Sequence, residues 1–215
     1  MTDTAAGFES IYADEHLLVL NKPAGLLSVP GKGADKQDCL SARVQEIYPD
    51  ALVVHRLDMA TSGLMLMARG PAMQAALSKL FETRAIHKRY LAVVDGKMTS
   101  SIDWQLIDLP IALDWPNRPL RIISATGKPS HTRWRALQYD AGRNTTRVEL
   151  EPVTGRSHQL RVHLKSLGHP ILGDALYAPA NLQAKAGRLL LHACDLRFSH
   201  PVGGAPMDFE NAPPF

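Results

Sequence analysis

Two short apolar runs, Ala51–Val54 and Leu64–Ala68, are joined by His55-Arg56-Leu57-Asp58-Met59-Ala60-Thr61-Ser62-Gly63. Each run suits one buried element, so the joining segment must be a short loop that presents a single carboxylate, Asp58. Scaffolds tend to hold reactive groups on such loops, between rigid elements. An Asp in a loop ordinarily caps a turn. Here His55 and Arg56 precede the acid and a Thr-Ser-Gly turn follows it, which marks this Asp as a candidate for chemistry.

The rest of the chain reads as a mixture of strands and helices. Phe8–Ala13 and His16–Leu20 form a hairpin around Asp14-Glu15, and 21–36, rich in Pro and Gly, form a loop. Helical patterning covers Asp38–Ile47. It returns after Pro71, where Met73, Leu77, Leu80 and Phe81 recur on one face. Ser157 is placed to cap a third helix, with Leu160, Leu164 and Leu167 on its buried face and Gly168 as its stop. Strands are expected at Arg89–Val94, through most of Ile102–Pro152, and at Arg188–Phe198. This order predicts an α+β fold in a single domain, 1–215, rather than a regular βαβ array.

Composition excludes several classes. At 215 residues, 45% hydrophobic and 21% charged, the chain can build one substantial core. No apolar stretch approaches the length of a membrane span, and the first residues lack a secretory pattern. Cys39 and Cys194 lie far apart in apolar surroundings and read as buried free thiols, which suits a cytoplasm. A net charge of +3 says little, but its distribution says more. Five Lys or Arg (Arg118, Arg121, Lys128, Arg133, Arg135) and no acid lie between Trp115 and Tyr139. Arg156, Arg161 and Lys165 follow in a second acid-free window, Pro152–Gly173. Such segregation predicts a surface that faces a polyanion.

The segment His55-Arg56-Leu57-Asp58-Met59-Ala60-Thr61-Ser62-Gly63 resembles the signature of the RluA-type pseudouridine synthases. The blocks Asn21–Gly31, Lys88-Arg89-Tyr90, Thr154–His163 and Gly168–Asp174 are similar to further motifs of that family, in the same order. The resemblance implies a bent, mostly antiparallel mixed sheet with flanking helices, a central catalytic cleft and no N-terminal S4-type module. It implies isomerisation of uridine to pseudouridine in RNA, by a monomer, without cofactor or metal. Asp58 is then the catalytic carboxylate, acting at C1′, at C6 or as a base at C2′. Tyr90 stacks on the target base or relays a proton, and Arg161 pairs with the Asp. An Arg suits that pairing because its charge is permanent and its fork can hold both carboxylate oxygens. Arg56 enters the RNA where the uridine is flipped out. His55 stands beside it with a weaker claim, since a structural hydrogen bond to a loop carbonyl is the stronger reading, and Lys22, Lys88, Arg118, Arg121 and Arg156 are expected to meet the RNA. The Asp114–Pro119 segment is similar to members acting on both a tRNA anticodon stem-loop and a 23S rRNA hairpin.

Two rival functions are weaker. A metal hydrolase is suggested by nine histidines, but His158 and His163 stand five apart and no His-Glu-x-x-His or Cys-x-x-Cys pattern occurs. A catalytically silent RNA-binding module would share the fold, yet Asp58, Tyr90 and Arg161 are all present.

Overall fold

The computed structural model describes residues 7–99 and 103–215. The reading of the chain start falls partly on 1–6, and the strand-rich stretch opens at residue 102, so both lie partly outside the described residues. The chain forms two compact units. The first runs to Lys88 and includes Ala193–Pro214; the second is Arg89–His192 with Phe215.

In the first unit, β1 (Glu9–Ala13) and β2 (Leu17–Lys22) form the expected antiparallel hairpin. Asp14 closes its turn, accepting the N–H groups of His16 and Leu17 on Oδ1, both at 2.7 Å. Beside β2 lies β4 (Ser62–Arg69), which also pairs with the short β3 (Ala51–Val53). β2 and β4 are buried along almost their whole length, as unbroken apolar runs require. Helix α1 (Leu40–Ile47) precedes β3, and α2 (Pro71–Glu82) starts at its proline and packs Met73 and Leu77 into a core with Leu17, Val19, Leu64 and Leu66.

In the second unit, β5 (His87–Asp95), β6 (Gln105–Asp108), β9 (His131–Asp140) and β10 (Thr145–Pro152) pair antiparallel in the order β5-β10-β9-β6. A separate hairpin joins β7 (Ile111–Leu113) to β8 (Arg121–Ile123). Helix α3 (Gln159–Ser166) and the short α4 (Ala180–Gln183) follow. The chain returns through β11 (Leu191–Ser199) to β12 (Pro206–Glu210), and this pair is antiparallel too. The fold is α+β with mainly antiparallel pairing. Among the described residues no helix is long and apolar enough to cross a membrane.

Three local expectations need correction. Ser157 does not cap α3: the capping position is His158, in a left-handed conformation with φ 57°, and no side chain caps the helix. The Gln159 side chain organises this turn instead. Its Oε1 accepts from Thr154 Oγ1 at 2.8 Å and Arg156 N–H at 3.0 Å, while its Nε2 donates to His131 O and Thr132 Oγ1. Leu167 lies beyond the helix and is exposed, whereas Gln159 to Leu164 are buried on every side. Cys39 is buried as expected, but Cys194 is only half-buried; both are free thiols.

Candidate active site

Asp58 occupies the β3–β4 loop, and the backbone on both sides of it is clamped. The Ser28 hydroxyl donates to Leu57 O at 2.7 Å and accepts the Leu57 N–H at 3.1 Å, so one buried side chain satisfies both polar groups of the residue before the acid. On the other side, Met59 O accepts from Gly25 N–H at 2.8 Å and from Lys22 Nζ at 3.2 Å. Thr61 N–H closes the turn on Asp58 O at 3.1 Å. The 21–31 block therefore serves as the brace of the acid's loop. Fixing a backbone at both flanks of a half-buried carboxylate is the arrangement a preorganised reactive group needs. The Thr-Ser-Gly that follows has a packing role: Gly63 has φ 111°, and a Cβ there would overlap the Ala193 backbone.

This brace overturns the expectation for Lys22. Its side chain is fully buried, and its ammonium donates to Pro23 O and Leu26 O, each at 2.7 Å, as well as to Met59 O. An ammonium has three donors and all three are committed to carbonyls, so Lys22 supports the loop and does not meet phosphate. For His55 the structural role holds and the RNA contact does not, although the partner is a backbone N–H rather than a loop carbonyl. Its Nε2 accepts the Leu66 N–H at 2.9 Å, one position past the last β3–β4 pair, Val53↔Met67. Its ring stacks on Phe81 with centroids 4.6 Å apart. Burial, helped by the nearby Lys88 charge, pushes its pKa down to about 3, so the imidazole is neutral and continues the sheet ladder. Arg56, next in sequence, is exposed. Lys88 is half-buried, with Nζ 5.5 Å from the Phe81 ring centre, and burial lowers its pKa.

In the second unit Tyr90 is half-buried in β5, opposite Leu150. Arg161, on α3, is buried, and its Nε and Nη2 donate to the two oxygens of Asp174 at 2.8 and 2.6 Å. Asp174 is itself held: its Oδ1 also accepts the N–H groups of Leu176 and Tyr177, at 3.0 and 3.2 Å. The Arg161 guanidinium lies 5.0 Å from the Tyr177 ring centre. The Tyr177 hydroxyl pairs with His158 Nδ1 at 2.7 Å and accepts the Arg121 N–H at 2.9 Å. Sequence reasoning missed Asp174 as a partner of Arg161, although the Gly-Asp pair closing the 168–174 block was in view.

The remaining cations divide. Arg118 is exposed at the tip of the β7–β8 loop, and Arg121 is half-buried in β8. Arg156 is exposed and its Nε reaches Pro129 O at 3.3 Å. Arg133 and Arg135, inside an acid-free window of the sequence, are paired with Glu151 and Glu149 of the neighbouring strand. Antiparallel pairing brought in the acids that the linear window lacked, so those two arginines add less to a polyanion-facing surface than the sequence suggested. Among the described residues, the acids close enough together to hold a cation are Asp195, Asp208 and Glu210, and Arg197 already bridges all three.

Residues 16–166 match the family described as RNA pseudouridylate synthase. The chain is 48% identical over 201 residues to the Dual-specificity RNA pseudouridine synthase RluA of Escherichia coli (strain K12), covering 93% of this chain and 90% of that protein. It is 50% identical over 192 residues to the protein of the same name from Vibrio cholerae, covering 89% and 77%. Among solved structures it is similar to Human RNA Pseudouridylate Synthase Domain Containing 1, with a TM-score of 0.79 and 28% identity. That similarity covers 97% of this chain and 84% of the other.

Proposed function

Since the chain belongs to the RNA pseudouridylate synthase family and is thereby an isomerase acting on RNA, we propose that Asp58 is its catalytic carboxylate, with Tyr90 and Arg161 as the other catalytic residues. Isomerisation breaks the ribose C1′–N1 bond, turns the uracil and joins C1′ to C5. The C5 proton leaves and N1 regains one, so the reaction consumes no oxidant and no transferred group. It requires a fixed carboxylate and a site that keeps water from the detached base. Tyr90 supplies a ring for the base and a hydroxyl for proton transfer. Arg161 supplies a permanent charge.

The observation that carries this reading is the clamp on Leu57 and Met59, which fixes the backbone on both sides of Asp58. The substrates are a tRNA anticodon stem-loop and a 23S rRNA hairpin, in keeping with the dual-specificity name of the relatives. Arg56 fills the space left by the flipped uridine. Lys88, Arg118, Arg121 and Arg156 contact the RNA around it.

Asp58→Asn tests the assignment. It preserves shape but is neither nucleophilic nor basic, so it binds RNA and releases no tritium from uridine labelled at C5. Appreciable release by the Asn protein ends the assignment. Synthetic stem-loops of both kinds, sequenced for pseudouridine after incubation, test the substrates: modification of only one removes dual specificity.

A further inference from the structure

The β7–β8 hairpin carries a feature that the chemistry at Asp58 does not use. Trp115, at its tip, is 66% exposed, and the Arg118 guanidinium lies 4.7 Å from the Trp115 ring centre. Water solvates indole poorly, so a Trp held this far out is a large apolar surface awaiting a partner. The tip is also built to be rigid. Leu113 pairs with Arg121, Asp114 N–H donates to Leu120 O, and Leu120 N–H donates to Asn117 O, both at 3.0 Å. Asn117 Nδ2 engages the Asp114 carboxylate at 3.0 Å, and Pro116 and Pro119 flank the turn. The hairpin base is anchored in turn: Ile111 is buried with Val162 and Tyr177, and Arg121 N–H is bound by the Tyr177 hydroxyl.

The geometry points to Trp115 and Arg118 as a stacking platform for an unpaired nucleobase of the RNA, other than the reacting uridine. This rests on the reading that the substrates are RNA loops. A nucleobase is the occupant that matches: it is flat and apolar on its face, and it arrives on a phosphate chain. Arg118, Arg121 and Lys128 lie on or beside the hairpin, and the one acid in the loop, Asp114, is engaged by Asn117. Arg118 braces the indole and adds a cation to the stack. The reacting uridine is excluded as occupant because an open platform cannot keep water from a detached base. A preorganised tip loses little freedom on binding, so most of the stacking energy is retained as affinity.

Tryptophan emission reads the stack directly. Both stem-loops and an unstructured oligouridylate are titrated into the wild-type protein and into Trp115→Phe, where Trp104 and Trp134 remain as internal reference. We expect quenching in the wild type that is largely absent from Trp115→Phe. Trp115→Ala should raise the KM for RNA about 5- to 150-fold, with the loss falling on KM rather than kcat, and Phe should recover part of it. An abasic nucleotide at one loop position should weaken the wild type and leave Trp115→Ala indifferent. Emission unaffected by every RNA, or equal KM values for wild type and Trp115→Ala, overturns the platform. If quenching occurs while neither stem-loop is modified, the platform stands and the substrate reading fails.

Discussion

Replacing Asp174 by Asn tests whether the second carboxylate sets the geometry of Arg161. Both side chains are almost wholly buried, at 4% and 1% exposure, and the fork is bidentate. In the Asn variant, the oxygen that accepts the Leu176 and Tyr177 N–H groups has reason to stay where it is. The new amide nitrogen then occupies the position of Oδ2, facing Arg161 Nε, donor against donor. Half the fork and the charge of Asp174 are lost. Breaking one side of a buried pair costs about 3–5 kcal/mol. Natural domains are stable by about 5–15 kcal/mol, so the variant should remain folded near room temperature with a much lower urea midpoint. Turnover, followed by tritium release, should fall with it. The double replacement Arg161→Met with Asp174→Leu separates the two effects. It removes both charges, so stability should recover most of the loss while turnover stays absent. A destabilisation below about 1 kcal/mol in Asp174→Asn, with normal turnover, would refute the reasoning.

Three further outcomes follow from the loop and its supports. Ser28→Ala leaves both polar groups of Leu57 without their partner, so it should cost about 1–3 kcal/mol in urea unfolding and lower kcat more than KM. Lys22→Met takes the ammonium from Pro23 O and Leu26 O, while Met59 O keeps the Gly25 N–H, and should cost about 1–3 kcal/mol for each carbonyl left without a donor; the slope of RNA affinity against salt should stay unchanged, since a phosphate contact would reduce it by about one. His55 has a folded pKa of about 3, below its ordinary value of about 6.5, so its contribution to stability is present in full above pH 6.5 and is lost as pH falls towards 3. That loss runs at about 1.4 kcal/mol per pH unit, and His55→Gln, which can accept the same bond without titrating, should flatten the dependence by one proton in unfolding curves at pH 7, 6 and 5.

Most of the scaffold was legible because its signals are local. The hairpin at Asp14, the proline-led α2 and the apolar runs of β2 and β4 each follow from period, turn chemistry or hydrophobicity within a few residues. What the sequence concealed is set by pairing between distant segments. Glu149 and Glu151 neutralise Arg135 and Arg133 only because β10 runs antiparallel to β9. Ser28 and Lys22 hold the Asp58 loop from 29 and 37 positions away, and neither residue type announces such a role. A structural hydrogen bond is the stronger reading of His55, but its partner, the Leu66 N–H rather than a loop carbonyl, follows only from where β3 ends against β4.

The same distinction explains Arg161. A motif names the residue that bears the charge, but the direction of that charge depends on whichever neighbours fix the guanidinium plane. Those neighbours, Asp174 and Tyr177, lie more than a dozen positions on, past the end of α3. Tyr177 also holds the base of the β7–β8 hairpin through Arg121 N–H, so one side chain touches both the arginine and the element bearing Trp115. A hydroxyl bound to two partners and a ring against a guanidinium leave Tyr177 few alternative rotamers. A shift of the hairpin on binding RNA would therefore act on Tyr177, whose ring lies against Arg161, as well as on Val162 of α3. Tyr177→Phe, which keeps the ring and removes the hydroxyl, cuts that link while leaving the Asp174 fork in place.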